Sequence, residues 1–241
     1  MATHFEPEAL KFLRGLSKHN DRDWFEPRRA IYERALKEPM LALIDEVNAA
    51  MESFAPEHVR PPHKIMMRIY RDIRFAKDKR PYKRQVSAWW ARRGMEKTSG
   101  GGFYLHIHPE EVLVSAGVYM PEREQLLAIR RHLSEHHEAY RALHGKILKA
   151  RGMSMTQIEG ELMTRMPKGF AKDDPADDLL RARNWGVHAR LPAKLAEDPS
   201  LAREIIKRFK LAAPLVAMLN APMRAANTAT RGVSMQHFKQ E

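Results

Sequence analysis

Ile65-Met66-Met67-Arg68-Ile69-Tyr70-Arg71-Asp72-Ile73-Arg74-Phe75 is the stretch on which the reading of the fold depends. Upstream of it the apolar residues recur at helical spacing; within it the period becomes two. Ile65, Met67, Ile69, Arg71, Ile73 and Phe75 fall on one side, and Met66, Arg68, Tyr70, Asp72 and Arg74 on the other. Successive side chains of a strand point to opposite faces, so this alternation predicts a strand over 65–75. One residue breaks the pattern, because Arg71 is in line with the isoleucines.

Working outward, the preceding residues read as helices. Pro7 suits a first helical turn, and Leu10, Phe12, Leu13 and Leu16 make an apolar stripe. His19-Asn20-Asp21 interrupts it, with Asn20 read as a C-terminal cap and Asp21 or Asp23 as the cap of the next helix. A third helix opens near Pro39 and carries Leu41, Ile44, Val47 and Met51, until Pro56 and Pro61-Pro62 end the helical section.

Downstream, Val86 to Ala91 reads as a second strand with Trp89 and Trp90 on opposite faces. Phe103 to His108 and Val112 to Tyr119 read as a hairpin turned at Pro109-Glu110-Glu111. Helices return at Pro121, with one through Leu133 and another through Tyr140 to Leu148. A short helix is expected near Leu179, a strand at Trp185 to Ala189, and a last helix from Pro199. The expectation is an α+β domain over residues 5–221: a mainly antiparallel sheet of about four strands flanked by N-terminal and C-terminal helices, with a loosely ordered basic tail at 222–241.

Charge is concentrated around the deciding stretch. Of the net +12, residues 60–97 hold 13 Lys/Arg against 3 Asp/Glu, a balance of +10, whereas residues 1–59 hold 8 against 11, a balance of −3. A local excess of this kind points to a site or patch more than to a diffuse surface charge. With Cys 0, thiolate chemistry and disulfides are excluded. No apolar run approaches the roughly 18 residues of a membrane span, and Met1 to Lys11 lacks a basic-then-apolar signal pattern. The expected location is the cytoplasm, with no membrane partner.

Three stretches carry more than fold: His19 to Phe25, Arg68 to Lys83, and Met166-Pro167-Lys168-Gly169-Phe170 followed by Pro175 and Leu179-Leu180. Together with Tyr104-Leu105-His106 and Gly117-Val118-Tyr119-Met120-Pro121, they resemble a bacterial family designated a domain of unknown function, number 2461, over roughly residues 8 to 220. The resemblance implies a fold and a site region but no reaction. The chain departs from the family pattern at His19, Ala76, Arg80 and Arg84.

Read physically, Arg68, Asp72 and Arg74 on one strand face would set two guanidiniums around one carboxylate, an arrangement that holds arginines rigid and leaves donors for a phosphate or carboxylate. Arg71, buried on the apolar face, would need a partner, for which Asp23 is one candidate. Lys77, Lys79, Arg80 and Lys83 add cations, Pro81 stiffens the loop, and Tyr82 offers an aromatic face. Lys168, beside Gly169, is a further candidate for closing an anion site.

Other constellations are weaker. His106 and His108 have the spacing to chelate a metal from one strand, but no third ligand is evident; His106 is retained as a candidate general base. His132 and His136 lie one helical turn apart without an HExxH carboxylate. Gly100-Gly101-Gly102 lacks the Lys-Ser/Thr of a P-loop, and no GxSxG or dinucleotide fingerprint is present. No metal or cofactor is assigned. Trp24, Trp89, Trp90 and Trp185 read as core.

Three functions remain open at this point. In the first, Arg68, Arg71, Arg74, Lys77, Lys79, Lys83 and Lys168 bind an anionic small molecule, with Asp72, Tyr82 or His106 as candidates to handle a proton if a reaction occurs. In the second, the 60–97 segment binds nucleic acid. In the third, the arginines form an internal carboxylate network in a structural or partner-binding domain.

Overall fold

A computed structural model describes residues 3–95, 100–158, 160 and 162–237, with side chains through Met223. The chain is α+β, with one antiparallel sheet of six strands and helices at both ends. The N-terminal helices are α1 (Pro7–Lys18), α2 (Arg22–Phe25), α3 (Arg29–Tyr32), α4 (Glu38–Met51) and α5 (Pro62–Ile65). The strands are β1 (Met66–Met67), β2 (Val86–Ala91), β3 (Gly102–Ile107), β4 (Glu111–Val118), β5 (Thr156–Gln157) and β6 (Trp185–Pro192). Helix α6 (Arg123–Leu148) separates β4 from β5, α7 (Asp177–Arg181) precedes β6, and α8 (Leu201–His237) ends the described chain. The sheet order is β1-β2-β3-β4-β6-β5. Among the described residues no helix is long and apolar enough to cross a membrane. The tail read at 222–241 lies largely outside the described side chains, and residues 238–241 outside the described residues.

The hairpin and the short α7 fall where periodicity places them. Helix α6 bends at His136, whose φ of −129° is non-helical, which accounts for two apolar stripes on either side of it. The sheet has six strands where about four were expected: the strand read at Trp185 to Ala189 is present as β6 and runs on to Pro192, and β5 is a two-residue edge too short to carry a pattern.

The largest difference lies at 65–75. Only Met66 and Met67 enter the sheet, opposite Ala88 and Ser87. Beyond them the chain makes a narrow ribbon closed by a bridge between Tyr70 and Tyr82, with Arg71 N–H donating to Pro81 (2.8 Å) and Lys83 N–H to Ile69 (2.8 Å). The carboxylates explain why the strand stops. Asp72 accepts from Arg74 N–H (3.2 Å) and Asp78 from Arg80 N–H (3.1 Å), so these backbone donors go to local side chains instead of a ladder. Pro81 has no N–H to contribute. The expected apolar face is buried only at its start, at Ile65 and Ile69, whereas Phe75 is 94% exposed.

The chain divides into two compact units: Met1–Arg93, Phe103–Ser115 and Ala189–Lys210 form the first, and Gly94–Gly102, Ala116–His188 and Leu211–Glu241 the second. In the first unit one side of β2 and β3 is apolar. Val86, Ala88, Trp90, Phe103 and Leu105 are buried there, with Phe209 of α8 packed 5.0 Å from Phe103 and 5.3 Å from Trp90 between ring centroids. Asn48 of α4 accepts from Trp90 Nε1 (3.0 Å) and donates to the Arg60 carbonyl (2.8 Å), so the indole N–H is satisfied inside the core.

In the second unit, β4 and β6 meet at two glycines. A Cβ on Gly117 would lie 2.2 Å from the Trp185 carbonyl oxygen, and Gly117 holds φ at +148°. Both steric and torsional demands exclude a side chain there. Gly117→Ala is therefore expected to lower the unfolding free energy by at least about 2 kcal/mol, read from the denaturant midpoint. Wild-type stability in that variant would contradict the close backbone approach.

Candidate functional site

The basic ribbon is anchored by Asn20. Its Nδ2 donates to the Tyr82 carbonyl (3.1 Å) and its Oδ1 accepts from Tyr82 N–H (3.0 Å), so one side-chain amide imitates a neighbouring strand. His19, not Asn20, caps α1, while Asp21 caps α2 as expected by accepting from Trp24 N–H (2.8 Å). The Tyr82 ring is buried and stacked on Phe25, with centroids 4.2 Å apart, so its aromatic face is used in packing instead of being offered to a ligand.

Beside this anchor lies a groove of about 380 Å³ lined by Asn20, Arg71, Arg80, Tyr82, Lys83, Arg84 and Gln85, with Asp78 the one carboxylate among the described lining residues. Arg71 is half-buried and turns to Asp78 (Nη1 to Oδ2, 2.8 Å) and the Arg80 carbonyl (3.0 Å); the partner is Asp78, not Asp23. Arg80 closes on the same carboxylate through Nε (2.9 Å) and Nη2 (2.7 Å). These bonds, first those from Arg80 and then that from Arg71, hold the Asp78 carboxyl far below the usual carboxylate range, so it stays ionised. Neither bond of Arg71 uses Nε or Nη2.

Of the residues read from the sequence, the groove brings together Arg71, Lys83 and Tyr82. Asp72 and Arg74 pair with each other on the exposed loop (Nη2 to Oδ2, 2.8 Å), and Arg68 acts on Asp72 only through its charge. Lys79 Nζ donates to the Ile73 carbonyl (3.1 Å) and so ties the loop to itself. Arg68 and Lys77 are exposed, and neither lines the groove. Lys168 belongs to the second unit, exposed beside Gly169, whose φ is +91°.

A second cluster occupies the polar side of β2 to β4 and the end of β6 within the first unit. Gln85, which lines the groove, donates to Tyr104 Oη (3.5 Å); Tyr104 Oη meets His106 Nδ1 (3.3 Å); His106 Nε2 meets Glu111 Oε1 (3.3 Å). Arg190 Nη1 reaches both oxygens of Glu111 at 2.7 Å. An ionised carboxylate only accepts, so Nε2 of neutral His106 carries the proton and Nδ1 accepts from the Tyr104 hydroxyl. Burial pushes His106 down to about 4, against the pull of Glu111. Burial is the largest influence on Glu111 and opposes its charge, but the bond and charge of Arg190 together with those of His106 outweigh it and hold this carboxyl below its usual range. His108, the residue after β3, is lowered by burial and then by the charge of Arg84. Among the described residues no group of three or more His, Asp or Glu is placed to hold a metal.

Residues 8–218 match a family described as a conserved hypothetical protein, DUF2461. The chain belongs to this family. No curated protein and no solved structure matches it. The DUF2461 match spans the Asn20 anchor, the ribbon, the groove and the histidine cluster alike.

Tyr104 and His106 are visible in the alternation of β3, but Glu111 and Arg190, 79 residues apart, have no shared signal in one sequence. Asn20 was equally hidden, because a residue after a helix reads as a cap before it reads as a long-range clamp.

Two expectations follow. Asn20→Ala leaves both backbone groups of Tyr82 without partners, so it should cost about 1–3 kcal/mol in denaturant unfolding and speed amide exchange at Tyr82. The second concerns pH. Folded His106 takes up its proton near 4, while an unfolded histidine does so near 6.5. Between those values the unfolded chain binds more protons, so stability is full above 6.5 and declines as pH falls toward 4. The decline due to this residue is on the order of 3 kcal/mol, and Glu111, whose folded carboxyl lies below its ordinary 4.5, adds a further loss as pH falls below that value. His106→Gln should flatten the stability profile across that window; an unchanged profile would refute the assignment.

Proposed function

We propose that the groove beside the 69–83 ribbon binds a small anionic molecule bearing a phosphate or carboxylate. One observation carries this reading: Arg71, Arg80, Lys83 and Arg84 converge on a groove of about 380 Å³ whose lining includes a single carboxylate, Asp78, already engaged by two of them. Asp78 fixes Arg71 and Arg80, and an anion entering the groove would meet planar donors held in place. A volume of this size suits a small molecule. The Asp72–Arg74 pair, by contrast, serves only the loop that carries it.

A second reading is favoured by Phe75. Its ring stands 94% exposed on the same basic loop, with the Arg74 guanidinium 5.8 Å from its centroid. An exposed ring among cations is a stacking platform for a nucleic-acid base, with the exposed Arg68 and Lys77 of the same segment available to meet phosphates.

Calorimetric titration with inorganic phosphate and with citrate, at low ionic strength, tests the first reading. Saturable binding is expected, weakened about tenfold or more in Arg71→Ala and in Lys83→Ala, since a charge-assisted hydrogen bond contributes roughly 1.5–3 kcal/mol. If neither anion binds, or if the substitutions leave binding unaltered, the reading fails. Short single-stranded oligonucleotides titrated between about 50 and 200 mM salt test the second: steep salt dependence together with loss in Phe75→Ala would put it first.

A further inference from the structure

We propose that the second unit carries its own binding site for an uncharged polyhydroxyl compound of monosaccharide size, in a pocket lined from α6, α7, β5 and β6. The site is independent of the anion groove, whose lining residues all belong to the first unit.

The pocket holds about 230 Å³, below the roughly 300–1,000 Å³ typical of drug-sized ligands. Leu179 of α7 and Trp185 of β6 are buried and supply apolar lining. The Trp185 indole N–H is already taken by the Leu179 carbonyl (3.0 Å), so it is not offered to a ligand. Four polar side chains complete the set: Tyr140 of α6, Gln157 of β5, Asp178 of α7 and Asn184 just before β6.

Tyr140 points most directly to a missing partner. It is only 4% exposed, and its ring is stacked on His144, with centroids 5.4 Å apart and planes 14° apart. Yet its hydroxyl has no hydrogen-bond partner among the described residues. Burial, with the charge of Asp178 adding to it, pushes the phenol pKa up, so the hydroxyl stays protonated and can both donate and accept. A buried polar group of this kind costs stability unless water or a ligand completes it.

The other polar groups narrow the chemistry. Asn184 uses its Oδ1 to accept from Met120 N–H (3.0 Å), which leaves the Nδ2 donors. The Gln157 amide is unbonded among the described residues and offers a donor and an acceptor. Asp178 accepts from Arg141 through both oxygens (2.8 and 3.4 Å), so its charge is balanced and its remaining lone pairs can only accept. No cation is among the described lining residues, which disfavours an anion, and the Asp178–Arg141 pair leaves little net charge to draw a free cation. An apolar molecule would strip water from Tyr140, Gln157 and Asn184 without replacing it. Hydroxyl groups each donate and accept, so a molecule carrying several of them matches the Asn184 donors, the Asp178 acceptors and the dual groups of Tyr140 and Gln157. Its C–H surfaces would lie against Leu179 and Trp185.

The test is saturation-transfer NMR with glucose, galactose, mannose, ribose and myo-inositol in turn, while the Trp185 indole N–H and the Gly186 amide report on the pocket. At least one compound should bind saturably and move both signals, with a dissociation constant on the order of millimolar for a ligand of about a dozen heavy atoms. Tyr140→Phe and Gln157→Ala should each weaken that binding about five- to tenfold. Without sugar, Tyr140→Phe should unfold at the wild-type denaturant midpoint or above it, because the hydroxyl it removes bonds to nothing; a lower midpoint would assign the hydroxyl a structural role and overturn the proposal. The proposal also fails if none of the five binds, if the signals that move lie elsewhere, or if Tyr140→Phe binds as the wild type does. Inorganic phosphate should leave the Trp185 and Gly186 signals in place; a saturable shift there would make the pocket an anion site, contrary to what is proposed.

Discussion

The amide of Asn20 bonded to both backbone groups of Tyr82 is the contact on which the arrangement of the first unit depends. Between β1 and β2 the chain leaves the sheet for a ribbon crowded with like charges, and nothing in the ribbon's own composition would make it return to one place. Two hydrogen bonds from a single side chain, together with the Tyr82 ring stacked on Phe25, fix the returning strand against the helices. Besides Asn20 itself, the groove is lined by residues between Asp78 and Gln85 and by Arg71, whose N–H donates to Pro81 across the ribbon. A buried hydrogen bond contributes only about 1 kcal/mol net, but leaving its partners unmade costs more, and that asymmetry makes the anchor selective for one register.

Ion pairs in the ribbon have a different role. Exposed pairs such as Asp72 with Arg74 contribute little to folding, with a median near 0–1 kcal/mol. Their effect is on shape. Each aspartate takes a backbone N–H two residues along as well as a guanidinium, so Asp72 and Asp78 build two tight turns and orient an arginine at each. The carboxylates thus account both for the interruption of the strand and for the rigid presentation of Arg71 and Arg80.

That double role explains how far the sequence could be read. Alternation at Phe103 to His108 and helical stripes such as Leu10, Phe12, Leu13 and Leu16 are local signals, and elements built on them appear where they are expected. At 65–75 the alternation is just as regular, yet most of it is not a strand, because periodicity does not register competition for backbone donors by Asp72 and Asp78. The site was legible in the same uneven way. A dense cationic stretch is visible as composition, and it does contain Arg71 and Lys83 of the groove. What selects those two over Arg68, Arg74, Lys77 and Lys79 is the Asn20 anchor, a contact across 62 residues. The pairing of Glu111 with Arg190 is likewise a product of the hairpin and the sheet order, not of any motif.

The two sides of β3 join the core to the candidate chemistry. Phe103, Leu105 and Ile107 are fully buried on one side, each gaining roughly 1.5–3 kcal/mol from leaving water. Tyr104 and His106 alternate with them and are carried into a partly dehydrated position by the same backbone, where desolvation acts against charge on both. A strand with polar residues at those positions gives up stability that apolar ones would supply, and the loss is tolerable because the facing side is so thoroughly packed. Rigid backbone beneath and saturated hydrogen bonds above leave the row Gln85, Tyr104, His106, Glu111 and Arg190 little freedom to rearrange. A row held only for stability would do better as hydrophobic side chains. It persists as a connected polar chain that begins at Gln85, a residue that also lines the basic groove, so the same backbone carries both.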